Sequence, residues 1–307
     1  MFFRRISIGF CLALFVSLCG VVIRNVIDNH RNMKQVVDRI LFFVVDKIAE
    51  KKLKQFRSNL AIFLWETPSL QKSFLPYDPT YMSFFLLRTN LIQALQTMGK
   101  GFWMLQADTL WRSSLFDYFE SKEITSDILL DQQGHENTIE SRKFTMNGAN
   151  FYVPPQSNSK NLISDWLEWQ RTIYVTDPDL VKMFCLREDY RCEFIDYRIV
   201  SGWEWIYSEQ TTPPSLIQMD GETEGNKTSV LRQYGFWFIN EKGKCDREAV
   251  DRAIQSVKNS QVPRIVTSSK EKQKIILKIG GIINSIPVFG HFSSIYGGLT
   301  SLYLRIF

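Results

Sequence analysis

Between Gly101 and Ser114 an apolar run, Phe102-Trp103-Met104-Leu105, is followed closely by a lone acid, Asp108, and then at once by Leu110 and Trp111. No other stretch limits the fold as tightly. Four consecutive large apolar residues read as a buried strand. A buried strand that ends on a carboxylate sets that acid at the edge of a sheet, where ligands of open α/β sheets collect. A hard divalent cation bridging two phosphates takes few protein ligands, often one or two carboxylates. Asp108 therefore suits a metal–diphosphate site. The competing reading is a solvated Asp that caps the next helix.

The flanking pattern supports an α/β domain. Ile40 to Val45 reads as a short buried strand ending on Asp46, Lys47–Phe56 as an amphipathic helix, and Leu60–Trp65 as a second strand closed by Thr67-Pro68. One β-α-β unit implies a parallel sheet. Tyr81–Met98 has apolar residues at helical spacing, ended by Gly99-Lys100. Downstream, Ser126–Leu130 reads as a strand, 131–142 as a polar insert and Leu162–Thr172 as a helix. Ser215–Gln218 is expected to be a strand, 220–228 a loop, Val230–Tyr234 a short helix, Gly235–Ile239 a terminal strand and Asp246–Lys258 a helix.

At 307 residues with 45% hydrophobic content, the chain can bury one sizeable core. A net charge of +5 suits an anionic small ligand as well as a nucleic acid. No clustered basic-aromatic stripe marks a nucleic-acid surface, and no Gly-x-Ser-x-Gly marks a hydrolase. Near the N-terminus, Arg4-Arg5 precede Ile6–Ile23, eighteen residues without a charge. At ~1.5 Å per residue that run spans about 27 Å, close to a bilayer core. It reads as a transmembrane signal anchor behind a cytosolic tail, residues 1–5, with a cleaved signal peptide as the alternative. Residues 24–39 then form a short stem or remnant helix, 40–245 the domain, and 246–307 an extension that is apolar from 275. Of the five cysteines, Cys185 and Cys192 are close enough to bridge across a loop in an oxidising compartment, and Cys245 is left over.

Several blocks share a resemblance. Gln106-Ala107-Asp108 sits where the nucleotide-diphospho-sugar transferase family carries its Asp-x-Asp motif. Met146-Asn147-Gly148-Ala149-Asn150 is similar to its Asn-Gly-Gly-Phe block, and Asp177-Pro178 to its Asp-Gln pair. Ser201-Gly202-Trp203 is similar to a Gly–aromatic element. Gln218-Met219-Asp220, Gly225-Asn226-Lys227 and Tyr234-Gly235-Phe236 resemble its closing motif. The resemblance implies a GT-A-like, Rossmann-like mixed sheet flanked by helices. The implied activity is transfer of a sugar from a nucleotide-sugar donor, a UDP-sugar, to a glycan or protein acceptor, with Mn²⁺ or Mg²⁺. It places the chain on the Golgi or ER membrane as a single-pass type II protein with a lumenal domain.

By the same resemblance Asp108 and Gln218 are the metal ligands, and Arg88, Gln106, Gly225 and Lys227 bind the donor. Asp177 and Asn147 are the catalytic candidates, holding the transferred sugar and the acceptor hydroxyl, with Asp177 a base or stabiliser near the anomeric carbon or, from its Asp-Pro context, a turn residue. Trp203 and Trp205 stack on sugar or base, or fill the core. The departures are Gln106 for the first motif acid, Gln218 for a metal-binding His, and Pro178 for the family Gln. Asp220 is a carboxylate that compensates for Gln218. Asn226-Lys227-Thr228 is also a glycosylation sequon, a reading that competes with phosphate binding at Lys227. The strand that opens such domains is either lost or absorbed into the apolar segment. These departures leave an alternative: a weakly active or inactive relative that binds glycans or a partner.

Overall fold

The computed structural model describes residues 12–15, 36, 38–71, 78–118, 123–132, 146–219, 227–242 and 246–264, with 275 and 279. The described strands are β1 (Leu12–Phe15), β2 (Ile40–Val44), β3 (Ala61–Leu64), β4 (Phe102–Gln106), β5 (Thr109–Trp111), β6 (Ile128–Gln132), β7 (Met146–Val153), β8 (Cys192–Phe194), β9 (Val200–Gly202) and β10 (Leu216–Gln218). Seven of them form one mixed sheet, ordered β3-β2-β1-β4-β7-β6-β8, and the other three form a small sheet, β5-β10-β9. Strands β3, β2, β1 and β4 run parallel, and β7 is antiparallel to both β4 and β6. The strand order reverses beside β1, so β1 and β4 flank the switch point where α/β sheets open a crevice.

Local signals explain the helices. Helix α1 (Lys47–Phe56) starts at Asp46, whose side chain accepts from the Ala49 amide at 2.7 Å. Helix α2 (Pro79–Gln96) starts at Asp78, which accepts from the Tyr81 amide at 2.7 Å, with Pro79 in the first turn. Gly99, at φ +66, lies just beyond its end. Helices α3 (Ser157–Thr172) and α4 (Asp177–Leu186) follow β7. Helix α5 (Lys227–Gln233) and helix α6 (Arg247–Lys258) come after β10.

Alternation along β2 and β4 divides the core between the sheet's two faces. Phe42, Val44, Trp103 and Leu105 pack on one side. Phe43, Phe102 and Met104 pack on the other, with Ile92 of α2, Trp166 of α3 and Phe184 of α4. A third cluster joins Ile217 and Trp203 to Phe236, Phe238 and the buried face of α6, Val250, Ala253 and Val257. Cys185, near the end of α4, is disulfide-bonded to Cys192 in β8.

Three expectations need correction. The apolar segment 6–23 does not run as one membrane helix, because Leu12–Phe15 is strand β1, paired with both β2 and β4. An uncharged run fits a bilayer span or a central parallel strand equally well, and periodicity does not separate them. No helix among the described residues is long and apolar enough to cross a membrane; 6–11 and 16–23 lie outside them. The missing opening strand is thus absorbed in the apolar segment. Second, Gly235–Ile239 is not a strand. Phe236 and Phe238 are buried as their alternation suggests, but only an isolated bridge forms there. Third, the expected polar insert begins inside β6, where Asp131 and Gln132 are buried. Residues 133–145 and the apolar end from 280 lie outside the described set.

Candidate functional site

Strand β4 ends at Gln106, whose register partner in β1 is Phe15. Two residues on, Asp108 lies at the carboxyl edge of the sheet, 8% exposed. Sheet pairing brings distant residues to it. In the small sheet β10 runs antiparallel to β5 with Gln218 opposite Thr109, and the Met219 amide donates to the Asp108 carbonyl at 2.9 Å. On the other side of β4, β7 places Asn150 against Gln106, whose backbone N–H donates to Asn150 Oδ1 at 3.1 Å.

A continuous hydrogen-bond network results. Gln218 Nε2 donates to Asp108 Oδ1 at 2.6 Å and to Gln106 Oε1 at 3.2 Å. Asn150 Nδ2 donates to Gln218 Oε1 at 2.9 Å and to Asp131 Oδ2 at 2.8 Å. Asp131 also accepts the backbone N–H groups of Ala149 and Asn150 at 3.1 and 3.0 Å, and weakly from Asn147 Nδ2 at 3.5 Å. Asp131, Asn150 and Gln218 are almost wholly buried, whereas Gln106 and Asn147 remain half-buried. Buried polar groups are tolerated when fully satisfied, and such networks hold one geometry.

A second buried cluster lies beside the first. Arg88, on α2, sits 3.2 Å from the Asp177 carboxylate through Nε, without an aligned hydrogen bond. Its Nη2 donates to the carbonyls of Gly148 and Ala149, both at 3.3 Å. Burial pushes the fully buried Asp177 carboxyl up to about 7, against the pull of the Arg88 guanidinium; nearby Asp179 adds to the rise. Gly148 has φ +68, and a Cβ there would stand 3.1 Å from Pro178 Cβ. Pro178, in place of the family Gln, thus packs on the β7 backbone, and Arg88 ties that backbone to α2 and α4.

The expected site residues therefore fall into separate groups. Gln106, Asp108, Gln218 and Asn147 belong to one network. Arg88 and Asp177 are brought together, but both are buried and face each other. Lys227 begins α5, while Gly225 and Asp220 lie outside the described residues, as does Asn226. Trp203 and Trp205 are both buried in the third core cluster. Sequence pattern alone does not single out two residues of the site: Asn150, which links both halves of the network, and Asp131. Asp131 carries the signal that marked Asp108, an apolar run, Ile128-Leu129-Leu130, ending on an acid.

The donor set can be tested against a divalent cation. Mn²⁺ and Mg²⁺ take oxygen ligands in these settings. Here Asp108 faces an amide nitrogen instead, with Gln218 Oε1 turned away toward Asn150. Among the described residues no group of three His, Cys, Asp or Glu side chains is placed to hold a metal ion. As arranged, these residues do not fit the cation that the sequence resemblance implies.

The described elements form an α/β fold in which a mixed sheet opens at its switch point beside interlinked polar side chains. The chain belongs to the nucleotide-diphospho-sugar transferase family, whose model matches residues 35–231. Similar solved structures include a galactosyltransferase, LgtC, in complex with donor and acceptor sugar analogues, at 10% identity over 86% of this chain and 100% of that one, TM-score 0.45. Mouse xyloside xylosyltransferase 1, apo form, is 12% identical over 70% of this chain and 98% of that one, TM-score 0.43. The mannosyltransferase PcManGT from Pyrobaculum calidifontis, in complex with GDP-Man and Mn²⁺, is 11% identical over 98% of this chain and 88% of that one, TM-score 0.40. No curated protein matches by sequence.

Proposed function

We propose that this chain is a glycosyltransferase that takes a nucleotide sugar, a UDP-sugar, and transfers its sugar to a hydroxyl of a glycan or glycoprotein acceptor. The supporting observation is the convergence of Gln106, Asp108, Gln218, Asn150 and Asp131 at the carboxyl edge of β4, beside the switch point. Gln106 and Asn147, the half-open members, contact the donor: Gln106 the ribose and Asn147 the transferred sugar. Lys227 offsets the diphosphate charge as the leaving group departs. Arg88 acts from beneath by holding the Gly148–Ala149 backbone, with Asp177 beside it, since neither reaches solvent in this arrangement. The chain works in the oxidising lumen of the secretory pathway, a reading supported by the Cys185–Cys192 disulfide. With Leu12–Phe15 committed to the sheet, the proposed enzyme has no single membrane helix over 6–23.

Calorimetry of the intact chain with UDP tests this reading, followed by UDP release from a panel of UDP-sugars with oligosaccharide acceptors. Binding and acceptor-dependent release are expected. UDP binding without release from any donor favours a second reading, a relative that retains the nucleotide site but not transfer. Gln218 in contact with Asp108 and Pro178 in the family Gln position favour that second reading. Failure to bind UDP refutes the nucleotide site.

A further inference from the structure

The polar network at the sheet edge has a fixed direction. At its inner end Asp131 receives N–H groups from Ala149, Asn150 and Asn147. A carboxylate only accepts, so Asn150 turns its NH₂ toward Asp131. The same NH₂ uses its other hydrogen on Gln218 Oε1, and Asn150 Oδ1 is taken by the Gln106 N–H. With its oxygen engaged in this way, Gln218 has only NH₂ left to present at Asp108 and Gln106. Turning the Gln218 amide over would set NH₂ against NH₂ at Asn150, and oxygen against carboxylate at Asp108. Bonds would be lost at both ends inside a buried network, where unsatisfied groups are costly.

We infer that Gln218 closes Asp108 to divalent cations. Its Nε2 occupies the point where Asp108 Oδ1 and Gln106 Oε1 converge, donating hydrogen bonds where a cation would draw oxygen lone pairs. The amide thereby supplies the positive end of a dipole in place of an ion. The exclusion stands on these hydrogen bonds alone. Its consequence, that the nucleotide donor is held without a divalent cation, rests on the proposed function.

Gln218→Glu is the deciding variant. It preserves side-chain shape and the bond received from Asn150, but exchanges the N–H donor for an oxygen. Three oxygens, from Asp108, Gln106 and the new carboxylate, then converge. Gln106→Glu adds the same charge while leaving the Gln218 amide in place. Free Mn²⁺ is followed by its electron paramagnetic resonance signal during titration of the intact chain, with circular dichroism to check folding. Gln218→Glu is expected to tighten Mn²⁺ binding by about tenfold or more, the scale on which changes around a metal move its affinity. Wild type and Gln106→Glu are expected to show no site of this kind. If Gln218→Glu does not fold, Gln218→His serves the same purpose by replacing the donor with a ring nitrogen. Wild-type Mn²⁺ binding that Asp108→Asn abolishes overturns the inference. So does an equal gain for Gln106→Glu, or the absence of any gain in the folded Gln218 variant. UDP binding is measured separately in excess EDTA and is expected to persist. Loss of UDP binding under every condition refutes the donor reading and leaves the Mn²⁺ result to stand alone.

Discussion

Replacing Asp177 with Asn should stabilise the protein at neutral pH, although it removes half of an ion pair. Asp177 is 0% exposed, Arg88 approaches to 3.2 Å without an aligned hydrogen bond, and the residue's own backbone N–H adds only the smallest downward pull. Desolvation therefore outweighs the attraction of Arg88, and the carboxyl rises from 3.8 to about 7. A folded-state value above the unfolded one means that the neutral carboxyl is favoured by folding. Its contribution is fully present below about pH 4 and is lost as pH climbs through about 7. Ionising the group in the folded protein costs, relative to the unfolded chain, at most about 4 kcal/mol, at 1.36 kcal/mol per tenfold change in proton affinity. Asn mimics the neutral carboxyl at every pH. Urea unfolding followed by tryptophan fluorescence, from pH 4 to pH 8, should show variant and wild type equal at the acid end. The variant should draw ahead as pH rises, with all other titrating groups cancelling in the difference. A variant less stable than wild type at pH 8 would refute the reasoning, for it would mean that the Arg88 pairing outweighs burial.

Further outcomes are expected. Gly148→Ala should cost about 1–3 kcal/mol, because a left-handed backbone at φ +68 would carry a Cβ 3.1 Å from Pro178; an unchanged melting temperature would contradict the packing of β7 on α4. Ala13→Pro should abolish folding, since it breaks a strand paired on both sides, whereas a membrane helix tolerates proline far better. A native circular dichroism spectrum for that variant would remove β1 from the sheet. Non-reducing peptide mapping should find Cys185 joined to Cys192, and Cys185→Ser should cost about 2–3 kcal/mol by the chain-entropy estimate for so short a loop. Alkylation of both thiols without reductant would count against the bond and against an oxidising compartment.

What the sequence determined by itself was local. Apolar runs with polar ends marked β2, β4 and β10, because strand burial is written within a few residues, whereas the helix read from Tyr81 begins two residues earlier, at Pro79 behind the Asp78 cap. The same pattern drew attention to Asp108, and the spacing of Cys185 and Cys192 suggested their bond. Tertiary structure alone decided the identity of each residue's partner. Gln218 meets Asp108 across 110 positions because β10 pairs with β5, and Asn150 meets Gln106 because β7 pairs with β4. Register between strands far apart in sequence leaves no periodic trace in either one. Burial likewise turned Arg88 and Asp177 from expected ligands into an internal pair. The apolar run near the N-terminus was undecided for the same reason: lipid and a sheet interior both select uncharged residues. Only the gap between β2 and β4, filled by Leu12–Phe15, distinguishes them.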